Sequence, residues 1–240
     1  MITDVVLDIE GTTSSTGFVH ATLYPYSRAR FTDFLTARGR EPDVAAQMQL
    51  VRDLAGDTEA DVAGIVRWLE HWLDGDQKVT PLKAVQGWIW ADGFAAGDLT
   101  SHFFDDAIPA IRRWHAEGRR LSIFSSGSVN AQRAWFGNTP DGDLLPLFDH
   151  HFDTENTGPK RVRDSYDRIT TALGVPPAQI VFCSDLVAEL DAAREAGWHT
   201  VGVRREGDQY FDDGVGDHLA VFGFDELDLS GDAPRVTSTS

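Results

Sequence analysis

The run Val5-Val6-Leu7-Asp8-Ile9-Glu10-Gly11 limits the architectures open to this chain more than any other segment. A short, β-branched strand ends on an acid, and a second acid follows two positions later. In extended or turning backbone alternate residues face the same side, so the two carboxylates can reach one small site without overlapping. Gly11 then lets the chain turn. Acids at the carboxyl end of a strand stand where open α/β sheets bind their ligands. The competing reading is a strand that ends in an acidic, helix-capping turn.

From about Phe18 to Gly97 the spacing is helical with few strand-like runs, and helices are expected over 45–54, 62–73 and 82–90. Alternation then returns. A helix over 108–117 leads to the apolar strand Leu121-Ser122-Ile123-Phe124, a polar turn and a helix near 130–136. A helix over 163–173 precedes the strand Ile180-Val181-Phe182-Cys183, a helix over 188–196 and the strand Thr200-Val201-Gly202-Val203. Ala220-Val221-Phe222 is a final short strand. Helices alternating with short apolar strands require a mostly parallel sheet covered on both faces. The expected fold is therefore α/β, a doubly wound core over 1–17 and 98–232, with a helical cap inserted at 18–97 and a flexible polar tail at 233–240. No internal repeat is present.

Charge narrows the function. With 38 acids against 21 bases the net charge is −17, which argues against a nucleic-acid or anionic-membrane partner, since both need a positive footprint. An anionic substrate then needs local compensation. Cys183 stands alone, so neither an internal disulfide nor a cysteine-rich zinc cluster can form, and Met1-Ile2-Thr3-Asp4 lacks the pattern of a secretion signal. No window approaches a membrane span. A cytoplasmic enzyme, monomeric and acting on a small molecule, is the expectation.

Three further elements follow the acidic loop. Ser125-Ser126-Gly127-Ser128 ends a strand where a helix begins, and its hydroxyls and N–H groups suit either an anion cradle or a simple serine N-cap. Gly158-Pro159-Lys160 sets a lysine at the start of a helix, where a cation disfavours the helix itself, so Lys160 is either functional or a solvated surface charge. Phe182-Cys183-Ser184-Asp185 again ends an apolar strand on an acid. If the strands at Val5 and Ile180 are neighbours, Asp8 and Asp185 meet at one sheet edge and can share a hard cation such as Mg²⁺. Glu189 and Asp191 fit either an outer ring around that site or ordinary acids favoured in a first helical turn.

In this order, Asp8-Ile9-Glu10-Gly11-Thr12, Ser125-Ser126, Lys160 and Phe182-Cys183-Ser184-Asp185 resemble the four motifs of the haloacid dehalogenase superfamily, mostly Mg²⁺-dependent phosphotransferases. General phosphatases of that superfamily usually carry Asp where Glu10 stands. The longer string through Thr13-Ser14-Ser15, with Phe18-Val19-His20, Leu23-Tyr24-Pro25-Tyr26, Gln86-Gly87-Trp88-Ile89-Trp90 and Phe152-Asp153-Thr154, resembles the enolase-phosphatases of methionine salvage. Two departures occur. Arg204-Arg205-Glu206-Gly207-Asp208 stands where that family has an Arg-Pro-Gly-Asn run, and Pro159 replaces a commoner polar residue before the lysine.

The resemblance implies a haloacid dehalogenase-like core and a bifunctional reaction. A 2,3-diketo-5-methylthiopentyl 1-phosphate is enolised and then dephosphorylated through an aspartyl phosphate. It implies Asp8 as nucleophile, Glu10 as acid and base, and Ser125, Ser126 and Lys160 on the phosphate. Mg²⁺ is implied on Asp8, the Glu10 main-chain carbonyl and Asp185. The base for enolisation is open, with Glu10 a candidate. Phe18, His20, Tyr24 and Trp90 are candidates for the wall around the methylthio tail or for ordinary cap core. The alternative is a simple Mg²⁺ phosphatase for another small phosphate ester. His150-His151 lacks the partners of a metal site and reads as loop, and the acids Asp208, Asp212, Asp213 and Asp217 read as a solvated connection. Trp68 and Trp72, at helical spacing, read as core.

Overall fold

Val5, Val6 and Leu7 are fully buried, and this follows from their place at the middle of a sheet that is covered on both faces. The computed structural model describes residues 1–237. Six strands, β1 (Asp4–Leu7), β2 (Arg120–Phe124), β3 (His150–Phe152), β4 (Ile180–Ser184), β5 (His199–Val203) and β6 (Leu219–Val221), form one sheet in the order β3-β2-β1-β4-β5-β6. All five pairings are parallel. This is the doubly wound α/β fold that the alternation requires. The strand order reverses direction between β1 and β4, so the loops leaving these two strands diverge and open a crevice at their carboxyl ends.

Register fixes what meets there. Leu7 lies opposite Ile123 on one side and Cys183 on the other, and Asp8 N–H continues the ladder by donating to the Cys183 carbonyl at 3.0 Å. The residues that follow, Asp8, Ser125 and Asp185, therefore leave the sheet at nearly one level. Val6, Phe124, Ile180 and Phe182 share a face with Tyr166, Ile169 and Leu173 of α9 (Arg163–Leu173) and Leu190 and Ala193 of α10 (Val187–Glu195). On α7 (Ala107–Ala116) the buried stripe is Ala107, Ile108, Ala110, Ile111 and Trp114, the i, i+3, i+4 spacing of an amphipathic helix.

The chain divides into two compact units, one of Met1–Phe18 with the residues from Thr100 onward, the other Val19–Leu99. In the first, α1 (Thr16–Phe18) follows the β1 loop and α8 (Val129–Gly137) follows β2. The second unit opens with a π-turn at Val19–Leu23 and contains α2 (Tyr24–Arg28), α3 (Phe31–Arg38), α4 (Pro42–Ala55), α5 (Val62–Asp74) and α6 (Thr80–Ala96). It has its own apolar core, in which Phe31, Leu35, Val51, Ile65, Leu69 and Val85 are almost wholly buried. Trp72 is buried in that core and Trp68 packs against it. Gly93 on α6 is a steric requirement, since a Cβ there would lie 2.6 Å from the Tyr26 hydroxyl.

Two local expectations change. His150 and His151 are not loop but part of β3, paired with Ser122 and Ile123, and a strand this short and polar is specified by its neighbour rather than by its own composition. In the polar tail, Arg235–Val236 pairs antiparallel with Leu227–Asp228, while residues 238–240 lie outside the described residues.

Candidate active site

The β1 loop is wound around one carbonyl. Ile9 C=O accepts from the N–H groups of Thr12, Thr13 and Ser14 at 3.2, 3.0 and 2.9 Å, and Thr13 Oγ1 donates to Asp8 C=O at 3.1 Å. Gly11 takes φ +72°, and a Cβ there would fall 1.9 Å from Asp185 Oδ2. Glycine is thus needed twice, for the left-handed turn and for the carboxylate that packs on its α-carbon. Asp8 is buried at the strand end, and Glu10 sits half-buried on the loop.

Lys160 is buried, which excludes the solvated-lysine reading. It lies in a turn three residues ahead of α9 rather than at the helix start. Tyr166 Oη donates to the Lys160 carbonyl at 2.7 Å, and Ser165 Oγ donates to Pro159 C=O at 2.8 Å, so the helix that follows ties down the turn. The ammonium donates to Asp8 Oδ1 at 2.6 Å and pairs with Glu189 Oε2 at 2.6 Å, while Ser184 Oγ donates to Glu189 Oε2 at 3.0 Å. Glu189 therefore belongs to the cluster. Asp191 does not, being paired with Arg194 and His218.

Electrostatics at this edge are dominated by burial. It pushes the Asp8 carboxyl up to about 7, with Lys160 pulling it down and Glu189 raising it again. Asp185 is pushed up to about 8 by burial and then by the Asp8 charge, with Lys160 opposing. Burial pulls Lys160 down, but the charges of Asp8 and Glu189 outweigh it and hold the ammonium protonated. Three buried carboxyls thus face one buried ammonium. That excess of negative charge, made of hard oxygen donors, fits a divalent cation such as Mg²⁺, which needs only one or two protein carboxylates and completes its shell with water and phosphate. Among the described residues there is no group of three or more His, Cys, Asp or Glu side chains that could hold a metal ion.

Ser125 and Ser126 continue β2 beside this cluster. Gly127 N–H donates to Ser125 Oγ at 3.2 Å, so the Ser125 hydroxyl hydrogen is left to donate elsewhere. Ser128, not Ser125 or Ser126, caps α8, accepting from Ala131 N–H at 3.3 Å. Behind the loop, the buried Gln132 amide donates to Gly127 C=O at 2.9 Å and Phe152 C=O at 2.8 Å, and its oxygen meets His151 Nδ1 at 3.2 Å. Asp153 accepts from Val129 N–H at 3.0 Å at the start of α8.

These supports had no signature in the sequence. Gln132 and Tyr166 act by reaching across the fold, and nothing in their local pattern marks them. Of the four aromatic candidates, Phe18 lies in the sheet unit, stacked on His102 at 5.4 Å and edge-on to Trp135 at 5.6 Å. The other three lie in the helical unit, where His20 and Tyr24 are 4.9 Å apart and Trp90 Nε1 donates to Leu23 C=O at 2.9 Å. Asp208 is no solvated connector, since its carboxylate accepts from Thr16 N–H at 3.0 Å.

An acid-tipped central strand, a serine loop on the next strand, a buried lysine and a second acid across the switch form one constellation. The family model for haloacid dehalogenase-like hydrolases matches residues 4–197. The chain belongs to that family. Within it, the enolase-phosphatase E1 of Streptomyces avermitilis is 55% identical over 229 residues, covering 95% of this chain and 96% of the relative. The enolase-phosphatase E1 of Frankia alni is 52% identical over 222 residues, covering 92% and 93%. The crystal structure of the UTR4 protein of Saccharomyces cerevisiae superposes with a TM-score of 0.78 at 28% identity, covering 95% of this chain and all of that one. This family member is therefore an enzyme, a hydrolase closely related to the enolase-phosphatases. Among its described residues, no helix is long and apolar enough to cross a membrane.

Proposed function

We propose that the protein is a Mg²⁺-dependent enolase-phosphatase that converts 2,3-diketo-5-methylthiopentyl 1-phosphate into 1,2-dihydroxy-3-keto-5-methylthiopentene and phosphate. The observation that carries this reading is the buried Asp8–Lys160–Glu189 cluster beside Asp185 and the serine loop, in a chain 55% identical to an enolase-phosphatase E1.

Phosphoryl transfer needs an in-line nucleophile, neutralised oxygens and a protonated leaving group. An Asp8 carboxylate oxygen attacks phosphorus, and the bond from phosphorus to the substrate oxygen breaks, leaving an aspartyl phosphate. Lys160 orients the nucleophile through Oδ1 and favours its ionised form against the burial that opposes it. The Ser125 and Ser126 hydroxyls donate to the transferring phosphoryl oxygens. Glu10 gives its proton to the departing oxygen, then takes one from the water that attacks the acyl phosphate, which restores Asp8 and releases phosphate. Asp8, Asp185 and the Glu10 main-chain carbonyl would hold Mg²⁺. When bound, the cation supplies neutralisation of phosphoryl charge and polarisation of the ketone during enolisation.

The test is an anaerobic reaction of the purified protein with the diketo phosphate and Mg²⁺, following the ultraviolet absorbance of the enol and phosphate release together. Both signals are expected, both lost on chelation. Phosphate release from other esters, with no enol signal from the diketo phosphate, would make the protein a simple phosphatase. Asp8→Asn is expected to cut turnover on the order of 10⁴-fold or more while the circular dichroism spectrum is retained. Normal phosphate release from that variant would remove Asp8 as nucleophile.

A further inference from the structure

The Arg204–Asp208 segment, which departs from the family run, lies directly after β5 and makes two separate contacts with the segment that follows Asp8. Arg205 is 4% exposed, and Nε donates to Thr12 C=O at 2.9 Å. Nη1 donates to Asp106 Oδ1 at 2.7 Å and to Phe222 C=O at 3.3 Å. The guanidinium carbon lies 4.4 Å from the Phe104 ring centroid and 4.9 Å from that of Phe224. Asp106 in turn accepts from Phe224 N–H at 2.6 Å, and Phe104 N–H donates to Thr13 C=O at 3.0 Å. Three residues further on, the Asp208 carboxylate accepts from Thr16 N–H.

A charged group buried this fully is retained at a cost, since burial without several partners is unfavourable. Arg205 sits between two rings with Nε and Nη1 engaged by a loop carbonyl, a carboxylate and a second carbonyl, while Nη2 is buried without a hydrogen-bond partner. What it grips is the turn that presents Glu10. Three of the loop's inner N–H bonds converge on Ile9 C=O, with Gly11 N–H to Ser14 C=O at 2.7 Å and Thr13 Oγ1 to Asp8 C=O closing the turn, and these set its shape but not its place against the rest of the fold. Phe104 N–H on Thr13 C=O and His102 Nδ1 at Ser14 and Ser15 hold one side of it, and Arg205 adds the tie at Thr12, joining the turn to Asp106 at the start of α7 and to the Phe222–Phe224 segment.

We propose that Arg205 and Asp208 form a positioning clamp on residues 12–16, and that through it Arg205 sets the position of Glu10 during turnover. The role given to Glu10 rests on the reading under Proposed function; the clamp itself rests on the contacts above. Lysine cannot reproduce a fork that serves Thr12 and Asp106 together, so Arg205→Lys keeps the charge and releases the grip.

The experiment is a steady-state comparison of wild type, Arg205→Lys, Glu10→Gln and the double variant, on the diketo phosphate with saturating Mg²⁺. Arg205→Lys is expected to lower kcat about tenfold to a hundredfold with KM unchanged, the size of loss that displacement of a reacting group produces. In the Glu10→Gln background the same substitution is expected to add little, because residues acting as a unit are non-additive. A wild-type kcat for Arg205→Lys, a loss confined to KM, or losses that multiply in the double variant would overturn the clamp. A wild-type kcat for Glu10→Gln would instead overturn the role of Glu10, and the kcat of Arg205→Lys would still decide the clamp. Should Arg205→Lys fail to fold by circular dichroism, Asp208→Ala opens the second contact and must lower kcat in the same direction; an unchanged kcat there refutes the proposal.

Discussion

The two units of this chain treat charge in opposite ways. In the helical unit the apolar residues make the core and the ion pairs stay outside: Arg28 with Asp74, Arg30 with Asp98 at 3.5 Å, and Arg38 with Glu41 at 2.9 Å and Asp92 at 3.2 Å, with every one of these side chains at least 34% exposed. At the edge of the sheet, Lys160, Asp8 and Glu189 are each under 10% exposed and lie within hydrogen-bond distance. The first arrangement costs little and contributes little. The second is expensive in desolvation and is a poor way to stabilise a fold, because an apolar core of equal volume does as well or better. The proposed phosphoryl chemistry accounts for charge buried at the carboxyl ends of β1 and β4 where stability does not, and the helical unit shows the same chain keeping its ion pairs in water.

The sharpest way to break this contrast is to remove the single cation from the buried cluster. Lys160→Met keeps most of the volume and leaves Asp8 and Glu189 facing each other with no counter-charge. Breaking a buried pair by deleting one partner costs about 3–5 kcal/mol, so the free energy of urea unfolding is expected to fall by that order at neutral pH. Phosphate binding should weaken in parallel. A loss below about 1 kcal/mol would put the cluster in the same energetic class as the surface pairs.

A second test concerns a half-buried polar group one layer behind the serine loop. Burial, then the neighbouring Arg133 and His150, pull His151 down to about 4, against an ordinary value near 6.5. A group that prefers its neutral form when folded contributes stability that is complete above pH about 6.5 and is lost as pH falls through about 4. His151→Gln removes that titration while leaving a polar side chain facing Gln132. The melting temperature of the wild type should therefore drop more than that of the variant between pH 7 and 4.5. Parallel curves would mean that His151 is solvated when folded, and that Gln132 is oriented by its two carbonyl acceptors alone.

How much of this was legible in the sequence depends on how local the cause is. β1, β2, β4 and β5 are short apolar runs between turn residues, so they declare themselves, and the parallel fold follows from their alternation with helices. β3 does not, because His150-His151-Phe152 becomes a strand only by lying beside Ser122–Phe124. In the site, an acid or serine loop at a strand end is a local pattern, and Asp8, Ser125 and Asp185 stand out for that reason. In sequence Glu189 admits two readings because an acid in a first helical turn is common, and only the arrival of Lys160 from a distant turn decides between them. Arg205 was visible merely as part of an unusual run. Its grip on Thr12 spans 193 positions of chain, and no pattern in a window can hold that information.

The smallest expected effect is the control for the whole contrast. Arg28 and Asp74 form an ion pair on the helical unit with side chains 41% and 65% exposed, and water already solvates both. Arg28→Ala should change the free energy of unfolding by less than about 1 kcal/mol, and a double-mutant cycle with Asp74→Ala should give a coupling of about 0.2–1 kcal/mol that shrinks further in high salt. Catalysis should be untouched, since neither residue belongs to the Asp8–Lys160–Glu189–Asp185 cluster. A coupling on the order of 2 kcal/mol or more, persisting in salt, would show that charge carries structural weight in the helical unit as well. The burial of the Asp8–Lys160–Glu189 charges could then no longer be read as a cost accepted for the proposed chemistry alone.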